Sequence, residues 1–460
     1  MSGVLPANVS FFMQRLQGVS TSHFKVHPQG ADNASASKIS RFELPSNSLI
    51  NFRGTRLFFN AGTSGGLGRL PNDISSLIER VAVYMGGTLV QNNFQSYNLL
   101  CHAKAAIEGS KCNATLGHPE IVRTKSYHNG EDFTGKSEDY TRQDEMFCID
   151  VWEGLLGSIE PSIIDSGILP QITIEITWAE NSVCPSIGGV GLAHSNDQGV
   201  QTANTIGAAN ADACTYSITN MSMQVEVLGM ATSVLDQITE QRIASVGYLS
   251  LPFKNYFTYV STHQGTSRFS VNSASWDRVW FVYRPTTYSA KAGAHPVPGY
   301  KIASQETPAT SDTGLPQYDL GGVLDTNSEK YVSAYFRMKE PITANGPPAT
   351  YQMQINGASV PAYKLTASEF YSVTKNSVDS YHVEKKMTTD QYKNSYFVQC
   401  MRFCLPDSSF SRLASGLDTR SVSAQAALET QGLDSCNLTV YAECTAELRV
   451  GSGRAIEIIA

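Results

Sequence analysis

The chain has 460 residues, of which 41% are apolar and only 16% charged, and its formal net charge is −7 with a pI near 5.8. That length suits two or three domains, or two large β domains, and the charged share lies below the ~25% of an average soluble domain, as in a protein whose surface is partly covered by other subunits. No Lys/Arg cluster stands out, which argues against direct nucleic-acid binding, because phosphate neutralisation drives such affinity.

Residues 1–40, rich in Ser, Asn, Gly and Gln with one apolar patch at Phe11, Phe12 and Met13, read as an N-terminal arm partly ordered by neighbours. The start lacks a basic stretch followed by an apolar core, so no secretory signal is expected. No apolar run approaches the ~18 residues of a membrane span. The sequons at Asn8, Asn33, Asn113, Asn220 and Asn437 then read as chance matches, and synthesis is expected in a cytoplasm.

From there short strand-like runs dominate: Leu57 to Phe59, Arg80 to Tyr84, and Gln171 to Trp178. The last alternates Ile172, Ile174, Ile176 and Trp178 against Gln171, Thr173, Glu175 and Thr177, the period of a half-buried strand. Met221 to Val227 and Leu438 to Tyr441 alternate in the same way. Between two β-rich halves, Ser233 to Ile243 carries Val234, Leu235 and Ile238 on one helical face with Ser233 as N-cap, which predicts a short linker helix. The expected division is an arm over 1–40, a first domain over 41–230, a linker helix over 231–247 and a second domain over 248–460.

An internal repeat organises the halves. Phe42-Glu43-Leu44-Pro45-Ser46-Asn47-Ser48 matches Phe269-Ser270-Val271-Asn272-Ser273-Ala274-Ser275, and each precedes an aromatic strand, Arg56 to Phe59 or Val279 to Tyr283. Val83 to Val90 aligns without gaps to Met353 to Val360, placing Gly86-Gly87 beside Asn356-Gly357, dipeptides that suit two-residue hairpin turns. A helical candidate follows each hairpin: Ser96 to Ile107, and a segment opened by a Thr366-x-x-Glu369 capping box. Phe147 to Val151 matches Phe397 to Met401. The unequal spacings are absorbed by Pro285–Ser328 in one half and Glu108–Arg142 in the other, both loop-like in composition. The expectation is an all-β protein of two tandem eight-stranded jelly rolls with long inserted loops and a few short helices.

At this point the sequence resembles a known family. Phe42–Asn60, Leu251–Tyr283, the Tyr351–Tyr363 hairpin and Ser415–Arg420 look like segments of double jelly-roll major capsid proteins, resembling those of polinton-like viruses and virophages. The resemblance implies a homotrimer that forms a pseudo-hexagonal capsomer, contacts with neighbouring capsomers in an icosahedral shell, a separate vertex penton protein and minor capsid proteins. It leaves contact with an inner membrane open. It also implies that long loops, here Pro285–Ser328, Glu108–Arg142 and the stretch from the 180s to Asn210, form towers on the outer face.

Chemistry-bearing residues give no assembled site, so no catalytic residue, metal ligand or cofactor is assigned and a structural protein, not an enzyme, is expected. The nine cysteines, at 101, 112, 148, 184, 214, 400, 404, 436 and 444, include no CxxC pair and read as free thiols. Cys400 and Cys404 would share a face if they lay on one strand. His23 and His27 could share a helix face but lack a third ligand. No HExxH occurs. Glu138-Asp139 and Asp144-Glu145 read as solvated loop charges. Trp152, Trp178, Trp276 and Trp280 sit in or beside strand patterns, where core packing competes with a sugar-stacking platform. The rival function is accordingly a carbohydrate-binding tandem jelly roll, fibre-like or lectin-like; a cupin-type enzyme would need clustered His and Glu.

Overall fold

The computed structural model describes residues 20–64, 74–91, 94–108, 146–184, 215–229, 241, 243–284, 286, 294–296, 331–336, 338–343, 346–378, 392–393, 396–405, 415–420 and 424–459. In the first half the strands are β1 (Ser20–Val26), β2 (Ala34–Ser35), β3 (Ile39–Glu43), β4 (Leu49–Ser64), β5 (Ile78–Met85), β6 (Thr88–Gln91), β7 (Met146–Ile149), β8 (Ile163–Asp165), β9 (Ile172–Trp178) and β10 (Thr215–Gly229). Helix α1 (Tyr97–Glu108) lies between β6 and β7, and a single turn, α2 (Leu155–Ser158), follows β7. The strands form two antiparallel sheets, β1-β10-β4-β7 with β2 and β8 at its margins, and β3-β9-β5-β6. Ile172, Ile174, Ile176 and Trp178 of β9 all point into the core that the two sheets enclose, as their period-two spacing requires.

The second half repeats this layout. Its strands are β11 (Tyr248–His263), β12 (Thr266–Val271), β13 (Trp276–Arg284), β14 (Ala294–Pro296), β15 (Tyr331–Ser333), β16 (Thr350–Ile355), β17 (Ala358–Leu365), β18 (Val398–Arg402), β19 (Ala424–Gln431), β20 (Cys436–Gly451) and β21 (Ile456–Ile459), with α3 (Ala367–Ser377) between β17 and β18. The sheets are β11-β20-β13-β18, with β21 added to β20, and β12-β19-β16-β17. Position by position this is the order of the first half, and in each half successive strands pass back and forth between the two sheets. That is the jelly-roll winding, made twice.

Each matched sequence feature sits on equivalent elements. Phe42 and Phe269 lie on β3 and β12, the two aromatic runs on β4 and β13, and Phe147 to Ile149 with Val398 to Met401 on β7 and β18. The hairpins β5-β6 and β16-β17 turn at Gly86-Gly87 (φ 59° and 83°) and Asn356-Gly357 (φ 50° and 80°). Positive φ at both central residues defines a type I′ turn, whose twist matches that of the strands. Thr366 caps α3 reciprocally: its hydroxyl accepts from the Glu369 amide while Glu369 accepts from the Thr366 amide at 2.8 Å.

Several expectations shift. Within the expected arm over 1–40, β1 pairs along seven residues of β10, from Ser20 opposite Gly229 to Val26 opposite Met223. Its side chains are mostly exposed, so backbone pairing at a sheet edge holds it. His23 therefore lies on a strand, not a helix shared with His27. Cys400 is on β18 but Cys404 lies beyond its end at Arg402, so they do not occupy one strand. Inside the Pro285–Ser328 stretch, β14 pairs with β15, just beyond its end, as a short ribbon. Apart from β14 and residue 286, that stretch falls outside the described residues, as do the loops over 109–142 and 185–210 and Ser233 to Ile238 of the expected linker; 243–246 are helical.

Candidate functional site at the seam between the rolls

The sheet β11-β20-β13-β18 is covered on both faces. Every residue of β13 is buried, and its side chains divide by parity. Val279, Phe281 and Tyr283 enter the second roll's own core. Trp280 and Val282 join the core of the first roll instead, together with Val398, Cys400 and Tyr441. The first roll meets this face with Phe94, Tyr97, α1 and the segment around α2: Phe94 stacks on Tyr256 at 4.7 Å between ring centroids. Backbone and side chain join as well. Tyr441 donates its hydroxyl to the Ser96 carbonyl (2.8 Å), and the amides of Glu160 and Lys254 donate across the seam to Pro252 O and Ser158 Oγ.

Among the described residues, one group of six charges is buried or half-buried along this seam. Lys104 on α1 binds Glu153 (2.7 Å) and lies 3.4 Å from the Tyr256 hydroxyl, which itself donates to Glu153. Glu443 on β20 faces Arg278 of β13 (3.7 Å) and accepts from Trp280 Nε1 (3.4 Å). Lys254 on β11 binds Asp277 (2.6 Å), whose oxygens also accept from Thr445 and Ser275. Three cations thus balance three carboxylates, as buried charge requires. Burial alone would raise the Glu443 carboxyl, but Arg278, Lys104 and Lys254 outweigh it and hold it below the ordinary glutamate range. Burial likewise works against the Lys254 charge, and Glu443 and Asp277 reverse that, leaving it raised.

A second group lies at another part of the seam. Tyr335, returning from the long insertion of the second roll, donates to Glu79 of β5 (3.2 Å), and Ser96 and Asn98 donate to the same carboxylate. Arg284 at the end of β13 lies over the Tyr335 ring at 5.0 Å. Burial raises the Glu79 carboxyl despite the Tyr335 bond and the Arg284 charge. Chemically both groups are clamps, because the partners given for them are protein groups. Among the described residues no group of three His, Cys, Asp or Glu side chains is placed to hold a metal ion.

Sequence reasoning did not single out these residues. Glu443 stands inside the apolar run Tyr441-Ala442-Glu443-Cys444, and a charge in a strand buried on both faces is the one signal that pointed to it. His263 is buried at the β11-β12 corner, with one ring nitrogen 2.7 Å from Ser267 Oγ and the other 2.7 Å from Thr430 Oγ1. All four tryptophans are core residues.

The fold defines a class before any name does: two tandem jelly rolls in one chain, the double jelly roll. Solved structures with this fold include PBCV-1 VP54, fitted into a reconstruction of the virophage Sputnik (13% identity, TM-score 0.54, covering 97% of this chain and 98% of that one). The major capsid protein of Faustovirus matches at 10% identity and TM-score 0.52, over 94% and 91% of the two chains. A PBCV-1 capsid model matches at 12% identity and TM-score 0.51, over 96% and 97%. No family model and no curated protein matches the sequence.

Proposed function

We propose that this chain is a major capsid protein, a structural and not a catalytic subunit of a viral shell. The observation that carries the reading is the duplicated jelly roll, a fold that matches the solved structures above over 94–97% of this chain. Three such chains would form a capsomer of six rolls, which reconciles three-fold symmetry with hexagonal packing. Such capsomers would tile an icosahedral virion, with a separate protein at the vertices, minor capsid proteins between capsomers and the long loops outermost. The affinity with polinton-like viruses and virophages, and the division into a roll ending near 230, a linker over 231–247 and a second roll from 248, belong to the same reading. Burial of all four tryptophans means that none of them offers the sugar-stacking platform on which the carbohydrate-binding alternative was based.

Electron microscopy and mass measurement of the purified chain test this. The expected particle has a hexagonal outline and the mass of three 50.0 kDa chains. Compact monomers would overturn the reading.

A further inference from the structure

The Lys254–Asp277 pair of the seam is set apart by what surrounds it. Its members lie on β11 and β13, the strands on either side of β20. Lys254 stands opposite Thr445 of β20. Asp277 is the residue at which β13 slips register against β20, between Trp276 and Arg278, and a bulge of that kind re-aims a side chain. Its side chain is 2% exposed, with Lys254 Nζ 2.6 Å from Oδ2.

Thr445 Oγ1 touches both partners: it accepts from Lys254 Nζ at 2.8 Å and donates to Asp277 Oδ2 at 2.6 Å. The other carboxylate oxygen, Oδ1, accepts from Ser275 Oγ at 2.7 Å. Ser275 is itself fixed, since its hydroxyl oxygen accepts from the Gly416 amide and its carbonyl from the Thr445 amide, both at 2.9 Å. These are the parts of an acyl transfer: an amine held against a carboxyl group, a hydroxyl that links nitrogen to the leaving oxygen, and a donor on the oxygen that stays. The neighbouring pair Lys104–Glu153 is bridged more loosely, with the Tyr256 hydroxyl 3.4 Å and 3.2 Å from its two members.

We infer that Lys254 and Asp277 condense in the folded chain, forming an isopeptide bond that ties β11 to β13 across β20. Transfer of one proton from Nζ to Oδ2 gives a neutral amine beside a neutral carboxylic acid, with the same protons as the ion pair. Burial favours that exchange, because two charges leave a water-poor site. The Nζ lone pair then attacks Asp277 Cγ. Thr445 relays a second proton from nitrogen to Oδ2, the Cγ–Oδ2 bond breaks, and Oδ2 departs as water. Oδ1 remains as the amide oxygen, still accepting from Ser275. One cation and one carboxylate disappear together, so the charges of Lys104, Glu153, Arg278 and Glu443 stay balanced. The water has a way out, since the Lys254 side chain is 22% exposed.

The test is mass spectrometry of the full chain, folded at neutral pH and then denatured, followed by proteolysis and sequencing of the peptides. The chain is expected to be one water lighter, relative to its sequence, than the Lys254→Met variant, and to yield a branched peptide joining Lys254 to Asp277. Thr445→Val keeps both reacting groups and is expected to accumulate the branched peptide several-fold more slowly after refolding; an unchanged rate overturns the relay. The native chain decides the bond itself, whether or not a variant folds. Full sequence mass with Lys254 only in linear peptides overturns it, as does a loss of water that persists in Lys254→Met.

Discussion

Glu443 faces three cations and no second route to charge balance. Glu443→Gln leaves Arg278, Lys104 and Lys254 with one carboxylate fewer in a site shielded from water. Breaking a buried pair in this way costs about 3 kcal/mol, which urea unfolding at neutral pH would measure. Its pH dependence has a definite sign. Because its folded carboxyl is held below the unfolded value of ~4.3, the stability it contributes is present above that value and disappears as pH falls through the lowered one. His263 acts at milder acidity. Burial lowers its imidazole below the ordinary value, while Tyr283 and Cys436, from β13 and the opposed β20, bring no charge that would offset protonation. Its folded form is therefore favoured at pH above ~6.5, and the advantage is lost as pH falls from there through the lowered folded value. His263→Gln should flatten that part of the curve: the drop in unfolding free energy between pH 7.5 and 5.5 is expected to be smaller in the variant. An unchanged drop would place the acid sensitivity elsewhere.

The hairpins show how much of an element can be read before it is seen. Gly86-Gly87 and Asn356-Gly357 were legible because only a few residue types accept positive φ at both turn positions. The two glycines of the first turn nevertheless differ. A Cβ at Gly87 meets nothing within 4 Å, whereas one at Gly86 would lie 2.6 Å from Pro170 Cβ. Gly87→Ala should thus cost only backbone strain, about 1 kcal/mol, and Gly86→Ala on the order of 2–3 kcal/mol because a clash adds to it. Chemical denaturation of the two variants would rank them. The α3 cap was equally legible, since Thr366 and Glu369 stand at the spacing that lets each satisfy the other's amide; Thr366→Ala should cost about 1 kcal/mol in the same assay. β1 was not legible. Ser20-Thr21-Ser22-His23-Phe24-Lys25-Val26 has no apolar period because an edge strand with exposed faces needs none, and its pairing with β10 is made by backbone groups that every sequence has. The seam escaped for a related reason. Periodicity reports that a face is buried, not which half of the chain buries it, so Trp280 and Val282 looked like any strand core.

At the scale of the whole molecule the first core runs through the seam and takes in Trp280, Val282, Val398, Cys400 and Tyr441 of the second roll. The second roll is therefore incomplete alone. Expressed as residues 248–460, it would present that apolar face to water, a patch of the kind that drives association. The fragment is expected to aggregate or self-associate under conditions where the full chain remains dispersed, as light scattering would report. The polar clamps at Glu443 and Glu79 explain why one docking angle is selected: apolar faces slide at small cost, whereas buried charges tolerate only the arrangement that pairs them. Fusion of the rolls has a kinetic consequence too. Joining two modules by a linker turns one encounter in two into an intramolecular event, at an effective concentration set by the tether instead of by expression level. A ring of six separate rolls would need six partners to meet, and an excess of one kind would strand incomplete rings. In the capsomer proposed above only three bodies would have to find one another, and every arrival would bring one finished joint and one face still open to the next.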